Sequence, residues 1–117
     1  MSASFTITGS GVSGINFFSG SQATGTLKGT VANCTIGTSG VTNSGAATGR
    51  GIRGLFDGAS QAILKIDQVT VREVRFVDGI GLFTASASSA SLDATITNCQ
   101  VNLTSINAFD GVSLRAR

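Results

Sequence analysis

A right-handed parallel β-helix of about four stacked coils is the fold that this 117-residue chain predicts, and three observations carry the prediction. A short alternating motif recurs through the chain. Two further segments recur in phase with it. Glycine and small polar residues, with no proline at all, separate the segments. Alternation of apolar and polar residues with period two is the signature of a strand. A set of strands returning in fixed order every 30 or so residues is the signature of a solenoid.

The clearest copies are Val31-Ala-Asn-Cys-Thr-Ile36 and Ile96-Thr-Asn-Cys-Gln-Val101, with Ile66-Asp-Gln-Val-Thr-Val71 between them and Ser4-Phe-Thr-Ile7 as a partial first copy. Superposing them stacks Phe5, Cys34, Val69 and Cys99 in one column, at intervals of 29, 35 and 30 residues. Ile7, Ile36, Val71 and Val101 form the next. Asn33, Gln68 and Asn98 align just before, and are expected to form an amide ladder that hydrogen-bonds from coil to coil.

The second segment starts at Gly14-Ile15, Gly51-Ile52, Gly79-Ile80 and Gly111-Val112. The third is Thr26–Val31, Gln61–Ile66 and Ser91–Ile96. No segment shows a helical apolar stripe with caps. Strands of this length stack about 4.8 Å apart, so the columns Ile15, Ile52, Ile80, Val112 and Val31, Ile66, Ile96 are expected to line a narrow interior. Val71–Phe76 reads as a continuous strand. A β-sandwich would also have short strands, but nothing in it requires three segments to recur in one order.

Residues 1–117 read as a single β-helix domain, expected to be a fragment of a longer solenoid with open or poorly capped ends. The segment 37–50 is an insertion, small and polar, expected to bulge from one corner. Thr84–Ser91 is a second low-complexity run at a turn. A loop at a corner leaves the stacking intact.

Composition narrows the function classes. Only 12% of residues are charged and the net charge is +2, far from the dense basic patch that phosphate binding needs. No stretch approaches the roughly 20 apolar residues of a membrane helix, and the first residues lack the basic and apolar regions of a signal peptide. Nucleic acid and membrane insertion are therefore not expected. Two cysteines are too few for a disulfide framework. Two coils apart in one column, Cys34 and Cys99 have Cα atoms about 9–10 Å apart, too far to bridge. Both are expected to pack as small hydrophobes. Asn33-Cys-Thr35 and Asn102-Leu-Thr104 match the N-glycosylation pattern, although Asn33 falls inside the amide column.

The Gly-Ile-x-Leu start, the small polar turn, the alternating strand and the Thr-Asn-Cys-x-Val close resemble the right-handed parallel β-helix repeats of pectin-lyase-like proteins and of bacterial surface and adhesin-type proteins. The resemblance implies an extracellular or cell-surface setting and carbohydrate ligands. It transfers no activity, because function resides in sites and not in the fold. Hydrolases of that family use paired aspartates with a His-containing motif, and its lyases use calcium with an arginine base.

This chain has no histidine and no Asp-Asp pair. Glycoside hydrolysis needs two carboxyls about 5–10 Å apart. Asp78 and Asp110 precede equivalent glycines one coil apart, but Asp before Gly is ordinary turn chemistry. Two aspartates with turn carbonyls make a weak calcium site, since calcium takes about six to eight oxygens. The expectation is no enzyme, no catalytic residue, no resident metal and no cofactor. The candidate ligand contacts are Arg50, Arg53, Arg72, Arg75, Asp78 and Asp110. Two functions follow from the residues: a noncatalytic structural or binding module that contacts carbohydrate, and a self-assembling unit that associates through its end rungs, where unpaired strand edges invite further pairing.

Overall fold

The computed structural model describes residues 5–75, 78–103 and 111–115. Among them the regular elements are all strands: β1 (Phe5–Ile7), β2 (Ile15–Ser19), β3 (Thr26–Ile36), β4 (Ile52–Phe56), β5 (Gln61–Arg72), β6 (Ile80–Thr84), β7 (Ser91–Thr97), β8 (Gln100–Asn102) and β9 (Val112–Arg115). They stack in parallel as a β-solenoid of about three turns, within the expectation of about four coils. The first and last coils are partial within the described residues.

Two sheets form the walls. One runs β1-β3-β5-β7, with β8 also on β5; the other runs β2-β4-β6-β9. The register is the one the repeats imply. Phe5 lies opposite Cys34 and Ile7 opposite Ile36. Cys34 lies opposite Val69, Ile36 opposite Val71 and Val31 opposite Ile66. Ile66 pairs with Ile96, and Val71 with Val101. In the second sheet Ile15, Ile52, Ile80 and Val112 form one column.

The interior is filled by Ile36, Ile52, Phe56, Leu64, Ile66, Val71, Ile80 and Leu82, all essentially inaccessible. Each such aliphatic contributes roughly 1.5–3 kcal/mol on burial. Volumes are matched between walls. A β-carbon on Gly29 would lie 2.8 Å from the Phe17 ring, and one on Gly54 would lie 2.8 Å from a Leu82 methyl and 2.9 Å from the Phe56 ring. Each glycine therefore makes room for a neighbouring large side chain.

The amide column has a different role from the ladder expected. Asn33, Gln68 and Asn98 all adopt the left-handed conformation, with φ of 54°, 53° and 52°. They are the corner at which the first sheet bends within β3 and β5, and at which β7 breaks from β8. Asn tolerates this conformation better than most residues. The Asn98 side-chain amide donates to Asp67 Oδ1 at 3.1 Å, one coil back. Among the described residues, no side-chain hydrogen bond joins Asn33 to Gln68.

The segment expected as a strand over Val71–Phe76 instead breaks at Glu73, whose φ is 58°. Val74 then bridges to Ala46, and residues 76 and 77 lie outside the described set. The 37–50 insertion has two parts. Residues 38–42 are exposed, whereas Ser44, Gly45 and Ala46 are buried. This foot continues the stack: Gly9 N–H donates to Ser44 O, Gly45 N–H to Glu73 O, and Arg75 N–H to Ala46 O. Only Gly fits at 45, where a β-carbon would fall 2.0 Å from Arg72 O.

Candidate functional site

The outer face of the second sheet brings together the sequence-expected residues Arg50, Arg53 and Asp78. Arg50 ends the insertion and Asp78 occupies the equivalent place one coil later, each directly before the glycine that opens a strand. Arg50 Nε donates to Asp78 Oδ2 at 3.0 Å. The same guanidinium lies 4.4 Å above the centre of the Phe83 ring, a cation–π contact. Gly81 makes this path open: a β-carbon there would sit 2.3 Å from Arg50 Cδ and Nε. Asp78 is only 3% exposed, so its carboxylate is buried against Arg50.

Alternation on β2, β4 and β6 sends Ile15, Ile52 and Ile80 inward, so the next residues of each strand face outward. Two outward columns result. One is Asn16, Arg53, Gly81 and Ser113; the other is Phe18, Leu55, Phe83 and Arg115. Arg53 Nη1 donates to Asn16 Oδ1 at 3.1 Å, which holds its guanidinium along the sheet. Arg50, Arg53, Leu55, Phe83, Thr84 and Ala85 line a shallow groove. Phe18 stands 59% exposed at its first-coil end. The result is an apolar ledge edged by arginines.

The other candidate residues are elsewhere. Arg72 closes β5 on the first sheet, and its Nε is buried with no hydrogen-bond partner among the described residues. Arg75 is exposed beside the Ala46 bridge. Asp110 lies outside the described residues, so the Asp78–Asp110 pairing is not defined by the structure. Thr104 of the Asn102 glycosylation pattern lies outside them too. Among the described residues, no three His, Cys, Asp or Glu side chains gather to hold a metal ion. Among the described residues, no helix is long and apolar enough to cross a membrane.

Both cysteines are free thiols. Cys34 is buried, and burial pushes its thiol pKa up. Cys99 is half-buried between β7 and β8, with Sγ 3.2 Å from Thr97 O and 3.6 Å from Ile66 O. Neither has a histidine to activate it, because the chain has none.

Sequence reasoning missed Phe83 and Gly81. Phe83 is an apolar residue in an outward position, and the register of Gly79-Ile80-Gly81-Leu82 with Gly51-Ile52-Arg53-Gly54 was sufficient to place it there. That Arg50 would cover it depends on the path of the insertion. Compared with protein-family models, curated proteins and solved structures, the chain matches none.

Proposed function

We propose that the chain is a noncatalytic structural and binding module of a surface or extracellular β-helix protein, and that the outer face of its second sheet contacts carbohydrate. The observation that supports this reading is the ledge itself. Sugar rings offer apolar C–H faces that stack on Phe18 and Leu55, and hydroxyls or carboxylates that accept from Arg53 and from Arg50, whose guanidinium covers the buried Phe83 ring. A bidentate arginine–carboxylate contact is stronger than a neutral hydrogen bond, so uronate-bearing glycans fit better than neutral ones. The setting follows from the repeat resemblance alone.

The test is calorimetric or NMR titration of the chain with uronate and neutral oligosaccharides, with and without calcium. Calcium-independent binding of uronates, weakened about tenfold in an Arg53→Ala variant, supports the reading; loss of one charge-assisted hydrogen bond is of that size. Absence of binding at millimolar glycan, or binding that Arg53→Ala leaves unchanged, overturns it. Cleavage of an acidic polysaccharide by the chain would overturn the noncatalytic part.

A second reading, a self-assembling unit, is favoured by a separate observation. Val112 and Leu114, on the last strand, are 43% and 52% exposed, although their columns are interior ones.

A further inference from the structure

We infer that the C-terminal end of one copy docks on the N-terminal end of the next, head to tail, with β9 pairing β2 and β8 pairing β1 in the register of the internal repeat. The inference rests on the self-assembly reading and specifies its partner, polarity and contacts.

Among the described residues, both ends carry parallel edges of the same two sheets that have no strand partner. At the C-terminal end the free edges are β7, β8 and β9; at the other they are β1, β2 and the Thr26–Val31 part of β3. Free edges of this kind are templates for pairing. Extending the columns by one coil sets Val112 against Ile15 of the second copy, Leu114 against Phe17, and Val101 against Ile7. Each pair is apolar, and each continues a column that is already apolar inside the molecule.

The same extension sets Arg115 against Phe18. These are an exposed cation and an exposed ring, at 59% for Phe18, in the outward column that also holds Leu55 and Phe83. The molecule already contains this chemistry on the same face, where Arg50 covers Phe83 at 4.4 Å. A two-fold arrangement of C-terminal ends would instead make β9 pair antiparallel with itself, setting Val112 opposite Leu114 of its mate and leaving Arg115 opposite Gly111, with no ring to face. Both polarities match apolar with apolar, but head-to-tail polarity also sets the cation against a ring.

One geometric consequence follows. Cys34 lies opposite Phe5, and Ile52 opposite Ile15. The Thr26–Val31 segment therefore starts the coil after β1 and β2. At the joint, β8–β1 and β9–β2 close, while one strand position stays open between β7 of the first copy and Thr26–Val31 of the second.

Sedimentation velocity on the chain, across a concentration series, reads the association. Wild type is expected to shift from monomer to larger species with concentration. Arg115→Ala and Phe18→Leu, both at exposed positions, are each expected to weaken it about fivefold, and the double variant no further than one alone, as a shared cation–π contact requires. Register is read by mixing a Phe18→Cys chain with an Arg115→Cys chain under mild oxidation. Strands one rung apart bring these Cα atoms within disulfide range. A cross-link there, and none between Arg115→Cys and Val41→Cys on the insertion tip, supports the joint. Association without that cross-link, or insensitive to both substitutions, overturns the joint while the assembly reading stands. A chain that stays monomeric at every concentration overturns both.

Discussion

The middle coils and the last coil present the same residue types in the same columns, yet their environments differ sharply. Ile52 and Ile80 are fully buried, whereas Val112, next in their column, is 43% exposed. Ile66 is 1% exposed, whereas its partner Ile96 is half-buried. Each rung of a solenoid is covered only by its neighbours. A column position in the middle is buried from both sides, and the same position at the end from one. Hydrophobic stabilisation here is therefore a property of place in the stack as much as of side chain.

The largest effect that can sharpen this comparison is truncation in the core. Ile66→Ala removes a side chain enclosed above and below and is expected to cost about 2–5 kcal/mol. Ile96→Ala, with one side open, is expected to cost roughly 1–2 kcal/mol. Urea unfolding of both variants measures the difference. Equal losses, or a loss below about 0.5 kcal/mol for Ile66→Ala, would break the distinction between middle and end.

The cysteines offer a smaller, residue-specific contrast. Cys34 is buried in a middle rung and its thiol is held up by desolvation, so at a given pH it carries less thiolate than an ordinary cysteine. Cys99 is half-buried at the outer rung. Mass spectrometry after thiol alkylation is expected to show Cys99 modified first in native protein, at least about tenfold faster. Cys34 should react only at higher pH or in denaturant. Comparable native rates, or a Cys34–Cys99 disulfide, would contradict the stacking.

The smallest effect concerns Asp67. Its carboxyl is held below the ordinary value of 3.8, first by the Thr97 hydroxyl at 2.6 Å and then by the Asn98 amide. A folded-state value below the unfolded one stabilises above the unfolded value, and that contribution fades as pH falls through the folded one. Stability between about pH 6 and pH 3 should therefore decline slightly more in wild type than in Asp67→Asn. Urea midpoints at several pH values measure it, and a parallel decline in both proteins would refute the assignment.

Much of the architecture was legible because stacking forces like residues into register. The Val31, Ile66, Ile96 column and the Ile7, Ile36, Val71, Val101 column are visible as spaced copies in the chain, and they pair as spaced. What remained hidden depends on backbone conformation or on through-space reach. Asn33, Gln68 and Asn98 form a conspicuous amide column. Asn favours the left-handed φ that they share, but Gln68 carries no such signal, so the column reads in sequence as a ladder and not as a corner. The insertion reads as uniformly small and polar, although Ser44–Ala46 rejoin the stack and residues 38–42 do not.

The candidate site divides the same way. Arg50, Arg53 and Asp78 stood out because charge is scarce in this chain. Phe83 did not, because an outward phenylalanine looks like any other apolar strand residue until a cation lies over it. Repeats and alternation alone determined that the chain stacks in parallel, which side chains share a column and which face inward, because every rung must repeat the hydrogen-bonding and packing of the rung beneath. Tertiary structure alone decided that Arg50 reaches past Gly81 to Asp78 and Phe83 and that the insertion's foot is buried. Each of these depends on what lies one coil away in space, some 30 residues distant along the chain, where local sequence preference has no reach.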